Sequence, residues 1–279
     1  MSNRREIETG TEDLLAHVDD RVALITMNRP ARRNALSGEM LVALEAVLAE
    51  VEVAPDVGCV VLTGAGGAFC AGGDVKGMAG SDGGGGDRPR LSTDEAIHRQ
   101  RLSQRGTSGR LYSMPKPTIA SLPGAAAGAG LSLALACDLR IASENAIMTT
   151  AFAKVGFSGD YGGSYFMTKL IGAAKARELY LLSDRLDAIE AERLGLINTV
   201  VPDDALEKET MALAHRLAHG PAVAYRYVKE NINRALEGGG LGECLDLEAT
   251  HHVHASFTQD HKNAVKAFVE KRTPIFEGR

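Results

Sequence analysis

Asp160 stands alone among glycines in Gly156-Phe157-Ser158-Gly159-Asp160-Tyr161-Gly162-Gly163. A carboxylate in a partly apolar loop has its charged form disfavoured, so its pKa rises and it can take and return a proton near neutrality. The same place, just ahead of a predicted helix, also suits an N-cap. A second candidate is Ala68-Phe69-Cys70-Ala71-Gly72-Gly73-Asp74, where glycines after a strand let bare backbone N–H groups approach a ligand and Asp74 stands ready to cap the next helix. A plain tight turn is the alternative. A third is Leu122-Pro123-Gly124-Ala125-Ala126-Ala127-Gly128-Ala129-Gly130. There a strand enters a helix whose first turn carries only hydrogen and methyl side chains, leaving its N–H groups open to an oxyanion or simply allowing close helix packing.

Other chemistries lack their residues. No Gly-Lys is followed by Ser or Thr at P-loop spacing, and the segment beyond Gly64-Ala65-Gly66-Gly67 is Ser81-Asp82-Gly83-Gly84-Gly85-Gly86-Asp87, which cannot be the acid-ended strand of a dinucleotide fold. His251 and His254 share a helix face with His252 beside them, but no acid or cysteine completes a metal set, so a solvated or interfacial face is expected and no metal is expected. Cys59, Cys70, Cys137 and Cys244 fit neither a zinc site nor a small disulfide framework, and are expected as free thiols of a cytoplasmic protein.

The elements that must position these groups follow from periodicity. Leu14–Val18 and Val22–Asn28 predict a hairpin across Asp19-Asp20-Arg21. Gly38–Val53 has helical spacing, and Val57–Thr63 is a β-branched run of the kind buried on both faces. Gly83–Gly86 form an expected mobile linker. Thr93–Tyr112 predicts a polar helix capped by Ser92 or Thr93, Pro117–Leu122 a strand, Gly128–Ala136 a helix and Leu139–Ala142 a strand. The alternation predicts an α/β core with parallel strands. Beyond about residue 200, four amphipathic segments come in succession without a strand: Asp203–His219, Ala222–Glu237, Leu241–Ser256 and Gln259–Lys271. Their apolar faces need a surface to cover, either a neighbouring subunit or the chain's own core.

With 279 residues, 44% of them hydrophobic, the chain can bury a sizeable single core. A net charge of −5 lacks the basic footprint that a phosphate backbone requires, so no nucleic-acid partner is expected. No apolar run is long enough to span a membrane and the start shows no secretory h-region, so no membrane partner is expected either.

In series these segments resemble the crotonase family, the enoyl-CoA hydratase/isomerase superfamily. The matching residues are Met27-Asn28-Arg29-Pro30, Arg33-Asn34-Ala35-Leu36, Ala68–Asp74, Pro115-Lys116-Pro117, Gly124 through Gly130, Cys137-Asp138, Gly159–Gly163 and Ala191–Ile197. The resemblance implies a crotonase-like spiral of ββα units, with residues 1–200 as the acyl-CoA-binding core and residues 201–279 as a helical region building homotrimers or hexamers. It implies an acyl-CoA thioester as substrate, with coenzyme A arriving as part of that substrate and no other cofactor. Matched motif to motif, the two N–H groups that hold the thioester oxygen fall on Gly73 and Ala129. Ala35, Ala71, Asp74, Lys76 and Gly128 would lie along the CoA or acyl moiety, and Lys271 would reach the phosphates from a neighbouring subunit.

The departures from the family are as informative. The two glutamates with which family hydratases handle water fall on Ser132 and Phe152, and neither side chain is an acid or base at neutral pH. Phe152 is instead expected against the acyl group. Asp160 matches the acting aspartate of family isomerases, including those for ring-opened phenylacetyl-CoA epoxides. A dehalogenase branch also places an aspartate here, but its accompanying tryptophan is missing, since the chain has none. The expected activity is double-bond isomerisation of an enoyl-CoA with Asp160 as proton shuttle. Hydration through Asp160 or another acid, and acyl-CoA binding without catalysis, stand as alternatives.

Overall fold

A computed structural model of the chain describes residues 4–74 and 91–279. Lys76 and the Gly83–Gly86 linker lie outside the described residues. Strands β1 (Arg5–Ile7), β2 (Leu14–Asp19) and β3 (Val22–Met27) form an antiparallel meander. Asp20 and Arg21 join β2 to β3 with φ of 42° and 65°, the left-handed pair that matches strand twist in a two-residue hairpin. Strands β4 (Cys59–Gly64), β5 (Thr118–Leu122), β6 (Ala126–Ala127), β7 (Leu139–Ser143), β8 (Ile147–Thr149), β9 (Leu186–Asp187) and β10 (Thr199–Val201) come after them. The main sheet runs β1-β2-β3-β4-β5-β7-β10, parallel from β3 onward. A small sheet, β6-β8-β9, stands apart from it.

Helix α1 (Gly38–Val53) starts at Ser37, whose hydroxyl accepts the Met40 N–H at 3.1 Å, and Pro55 keeps it from continuing. Its Met40, Leu44, Leu48 and Val51 are buried with Val60 and Leu62 of β4 in the main core. The alternate β4 residues, Cys59 and Val61, point the other way into a second cluster. That period of two is why the run reads as apolar on both faces. Helices α2 (Thr93–Gln104), α3 (Arg110–Ser113), α4 (Ala129–Ala136), α5 (Gly163–Leu182) and α6 (Ala188–Leu194) complete the first part. Helix α7 (Leu206–Ala218) closes the second cluster with Ala214 and Ala218. Beyond it lie α8 (Ala222–Leu236), α9 (Leu241–Ser256) and α10 (Gln259–Val269). In the single chain α9, α10 and the turn between them leave Leu241, Leu245, Phe257, Phe268 and Val269 exposed.

Several features depart from the sequence reading, among them β1 and β10 of the main sheet, which no predicted strand covers. The predicted Thr93–Tyr112 helix is interrupted by a π-helical turn at Arg105–Gly109, which turns Gly106, Thr107 and Ser108 into the core. The β6-β8-β9 sheet was not anticipated, because strands of two or three residues carry too little periodicity to read. The four cysteines are free thiols, three of them buried. Among the described residues, no helix is long and apolar enough to cross a membrane.

Candidate active site

The parallel strands β3, β4 and β5 all end at one edge, and open parallel sheets carry their ligand crevices there. A cavity of about 480 Å³ lies at this end. Ala71, Gly72 and Gly73 supply one wall and Gly128 with Ala129 the next. Thr150, Ala151 and Phe152 come after β8, Val155 and Phe157 through Asp160 close the far side, and Gln100 reaches in from α2.

Backbone bonds lock the two glycine-bearing segments to each other and to the segments on either side. Leu36 N donates to Gly72 O at 2.8 Å, Ala127 N to Cys70 O at 2.9 Å, and Gly128 N to Thr149 O at 3.1 Å. Gly72 has φ +88°, and a Cβ there would stand 2.8 Å from Ala127 O and 3.5 Å from Ala129 N. Only glycine permits that approach. Gly128 takes φ 52° and ψ −127° as it enters α4, a conformation again reserved for glycine. Ala129 is the first residue of α4, so its N–H has no carbonyl one turn back to bond.

Behind this wall, fully buried Asn34 donates from Nδ2 to Ala65 O (2.9 Å) and Ala68 O (2.8 Å) and accepts the Arg29 N–H at 2.8 Å. The Arg29 guanidinium donates to Ala35 O at 2.6 Å and pairs with Asp74 at 3.1 Å and Asp13 at 3.3 Å. The Asn-Arg-Pro and Arg-Asn-Ala-Leu motifs therefore brace the loop that carries Gly73.

Asp160 is not an N-cap. Helix α5 begins at Gly163 with Gly162 as its cap in the left-handed conformation, φ 75°, and no side chain caps it. The loop is pinned by Tyr161, buried at φ 49°, whose N–H donates to Gln104 Oε1 at 2.6 Å and whose hydroxyl lies 3.2 Å from Ser103 Oγ. The Asp160 carboxyl is left facing the cavity with Oδ1 shielded from water and bonded to none of the described residues. Burial raises its pKa from 3.8 to about 6, the range in which a carboxyl can act as base and then as acid.

Of the residues expected at the site, Asp160, Gly73, Ala129, Ala71, Gly128 and Phe152 line the cavity. Asp74 and Ala35 do not; they are held by Arg29 beside it. Lys271 is exposed just beyond α10 and is not part of the cavity wall. Phe152 stacks on Tyr180, with ring centroids 6.0 Å apart. Ser132 is buried and bonds back to Gly128 O at 3.2 Å, so it too is absent from the wall. Cys70, beside the cavity, has its thiol pushed up to about 12 by burial and is a packing group rather than a nucleophile. Gln100, Gln104 and Arg29 escaped the sequence reading as site residues, since nothing in a polar helix or a strand-end motif marks which side chain faces a distant loop. His251 also proves structural: it stacks on Tyr227 at 4.2 Å and lies 2.6 Å from Asn231 Oδ1.

A family model described as enoyl-CoA hydratase/isomerase matches residues 17–279. The 1,2-epoxyphenylacetyl-CoA isomerase of Escherichia coli is 36% identical over 271 residues, covering 96% of this chain and 99% of that protein. A Mycobacterium tuberculosis protein named "Probable enoyl-CoA hydratase echA8" is 37% identical over 268 residues, with coverage of 96% and 99%. Among solved structures, an enoyl-CoA hydratase from Bacillus anthracis superposes with a TM-score of 0.84 at 32% identity, covering 93% of this chain and 96% of that one.

Proposed function

The chain belongs to the enoyl-CoA hydratase/isomerase family, with its crotonase-like α/β fold, and from that premise we propose that it moves a double bond along an acyl-CoA thioester. The observation that carries this reading is the carboxyl of Asp160, the one carboxyl among the described residues of the cavity wall, raised to about 6, in a cavity that Gly73 and Ala129 also line.

The thioester oxygen would sit on the Gly73 and Ala129 N–H groups. Asp160 removes a proton from the carbon between the thioester and the double bond, and the negative charge moves to the thioester oxygen. There the two N–H donors stabilise it, each worth about 3–4 kcal/mol, or ~10²–10³ in rate. Asp160 then returns the same proton at the far end of the conjugated system. Atoms balance without water and without a cofactor other than the coenzyme A already in the substrate. Water addition makes heavier demands, since one group must activate water while another protonates carbon. Ser132 and Phe152 stand where family hydratases carry their glutamates.

Ala71 and Gly128 are assigned to the acyl and thioester portion with Phe152 as an apolar wall. Ala35, Asp74, Lys76 and Lys271 are assigned to the CoA side. The exposed apolar residues of α9, α10 and the turn between them are assigned to contacts between copies of the chain, the region beyond residue 200 serving as the oligomerisation region.

The test uses two thioesters. A 3-enoyl-CoA should gain the absorbance of the conjugated 2-enoyl thioester, while crotonyl-CoA should not lose it. Rapid loss from crotonyl-CoA would replace isomerisation with hydration. Tight thioester binding with no turnover of either would make the protein a binder.

A further inference from the structure

At the end of the sheet opposite the cavity, the β2–β3 turn meets the last turn of α7. The turn supplies Asp20. The helix supplies His215 and His219, four residues apart and so on one face. His219 Nε2 lies 3.0 Å from Asp20 Oδ1 and His215 Nδ1 lies 3.2 Å from Asp20 Oδ2. The three ligand atoms fall within 4.8 Å of one another. Around a tetrahedral zinc ion, nitrogen and oxygen ligands about 2.0–2.2 Å from the metal stand roughly 3.3–3.6 Å apart. The two histidine–aspartate separations, each to a different carboxylate oxygen, lie just under that spacing.

His215 Nδ1 makes a second, independent point. It is shielded from water and, despite its nearness to Asp20, forms no hydrogen bond with the described residues. A desolvated nitrogen converging on a carboxylate without hydrogen-bond geometry is the arrangement a cation would satisfy. The scaffold is also rigid. Arg21 Nε donates to Ala218 O at 3.0 Å and Gly58 N to Arg21 O at 2.7 Å. A Cβ on Gly58 would stand 2.3 Å from Ala218 O, so hairpin and helix end are locked in close approach. Carbonyls at a helix C-terminus further favour a cation.

We propose that Asp20, His215 and His219 form a site for a divalent transition metal, zinc foremost, with water completing the coordination. Two imidazoles and one carboxylate select zinc over magnesium or calcium, which prefer all-oxygen sets. None of the three residues lines the catalytic cavity, so the ion would tie the hairpin to α7 rather than take part in turnover.

Zinc chloride titrated calorimetrically into the tag-free chain should bind one ion per chain. His215→Ala and His219→Ala should each weaken binding by about a hundredfold or more, since losing even an outer partner of a metal ligand weakens binding 10–100-fold. A His252→Ala/His254→Ala control should bind as wild type does, and thioester turnover should be the same in all. At about a hundredfold excess of free zinc over Kd, the wild-type Tm should rise by roughly 4–5 °C. Cobalt(II) should give visible ligand-field bands without a thiolate charge-transfer band, a readout on the wild-type chain that depends on no variant. Absence of one-to-one zinc binding, affinity unchanged in a His215→Ala/His219→Ala double variant, or equal competition by magnesium would each overturn the proposal.

Discussion

On the proposed mechanism the pH dependence of turnover follows the ionisation of Asp160. Burial places its carboxyl at about 6 instead of 3.8, and a general base works only in its ionised form. With a midpoint near 6, about 97% is ionised near pH 7.5 and about 9% near pH 5, so kcat/KM should fall roughly tenfold between them. A carboxyl at its ordinary value would lose less than about a tenth over the same interval. Phe157, at the cavity wall and 58% exposed, supplies the control. Phe157→Ser admits water beside the carboxylate, so the acidic limb should slide toward lower pH. Initial rates on a 3-enoyl-CoA, followed by absorbance from about pH 4.5 to 8, provide the measurement, with circular dichroism showing an intact fold and full recovery on return to neutrality. A profile flat down to about pH 5 would refute the assignment of a buried Asp160 as base. So would an acidic limb of unchanged midpoint in the residual rate of Asp160→Asn.

Three further outcomes test the scaffold. Gly72→Ala places a Cβ 2.8 Å from Ala127 O at φ +88°; displacing one oxyanion donor should cut kcat by ~10²–10³, measured under saturating thioester. Asn34→Ala leaves three backbone partners without their bond, one buried and two half-buried, and should cost about 2–4 kcal/mol, read from the urea midpoint at unchanged m-value. The folded pKa of Asp160 is raised, so the stability of this group is intact below its unfolded value of about 3.8 and is lost as pH rises through about 6. Asp160→Asn should accordingly raise Tm near neutrality and leave it unchanged near pH 3.5, within about a degree.

How much of the molecule is legible in its residues differs element by element. Helix α1 is readable from its apolar spacing and its cap, and strands β4, β5 and β7 and helix α4 from short, mostly apolar segments between turn residues. Strands β6 and β9 have two residues each and owe their existence to partners far along the chain. The π-helical turn at Arg105–Gly109 is a response to packing, which local propensity does not encode. The candidate site divides in the same way. Gly73 and Ala129 are picked out by the resemblance to the family, and both line the cavity. Whether Asp160 caps α5 depends on which residue begins that helix, a matter of the φ of Gly162 that residue types alone leave open. Gln104 and Arg29 act across loops with no spacing to betray them. The pairing of Asp20 with His219 joins residues 199 apart, beyond any motif.

On the proposed mechanism Asp160 alone moves the proton while the Gly73 and Ala129 backbone holds the thioester. Asp160→Asn keeps the side-chain shape and removes the base. Measured side by side, conversion of a 3-enoyl-CoA by this variant should fall by at least about a thousandfold, within the range of general base catalysis, while calorimetric binding of the same thioester's saturated analogue stays within about twofold of wild type, since a group that acts only in the transition state adds little to ground-state affinity. Full retained turnover in the folded variant would contradict the account, and so would loss of binding in step with loss of rate.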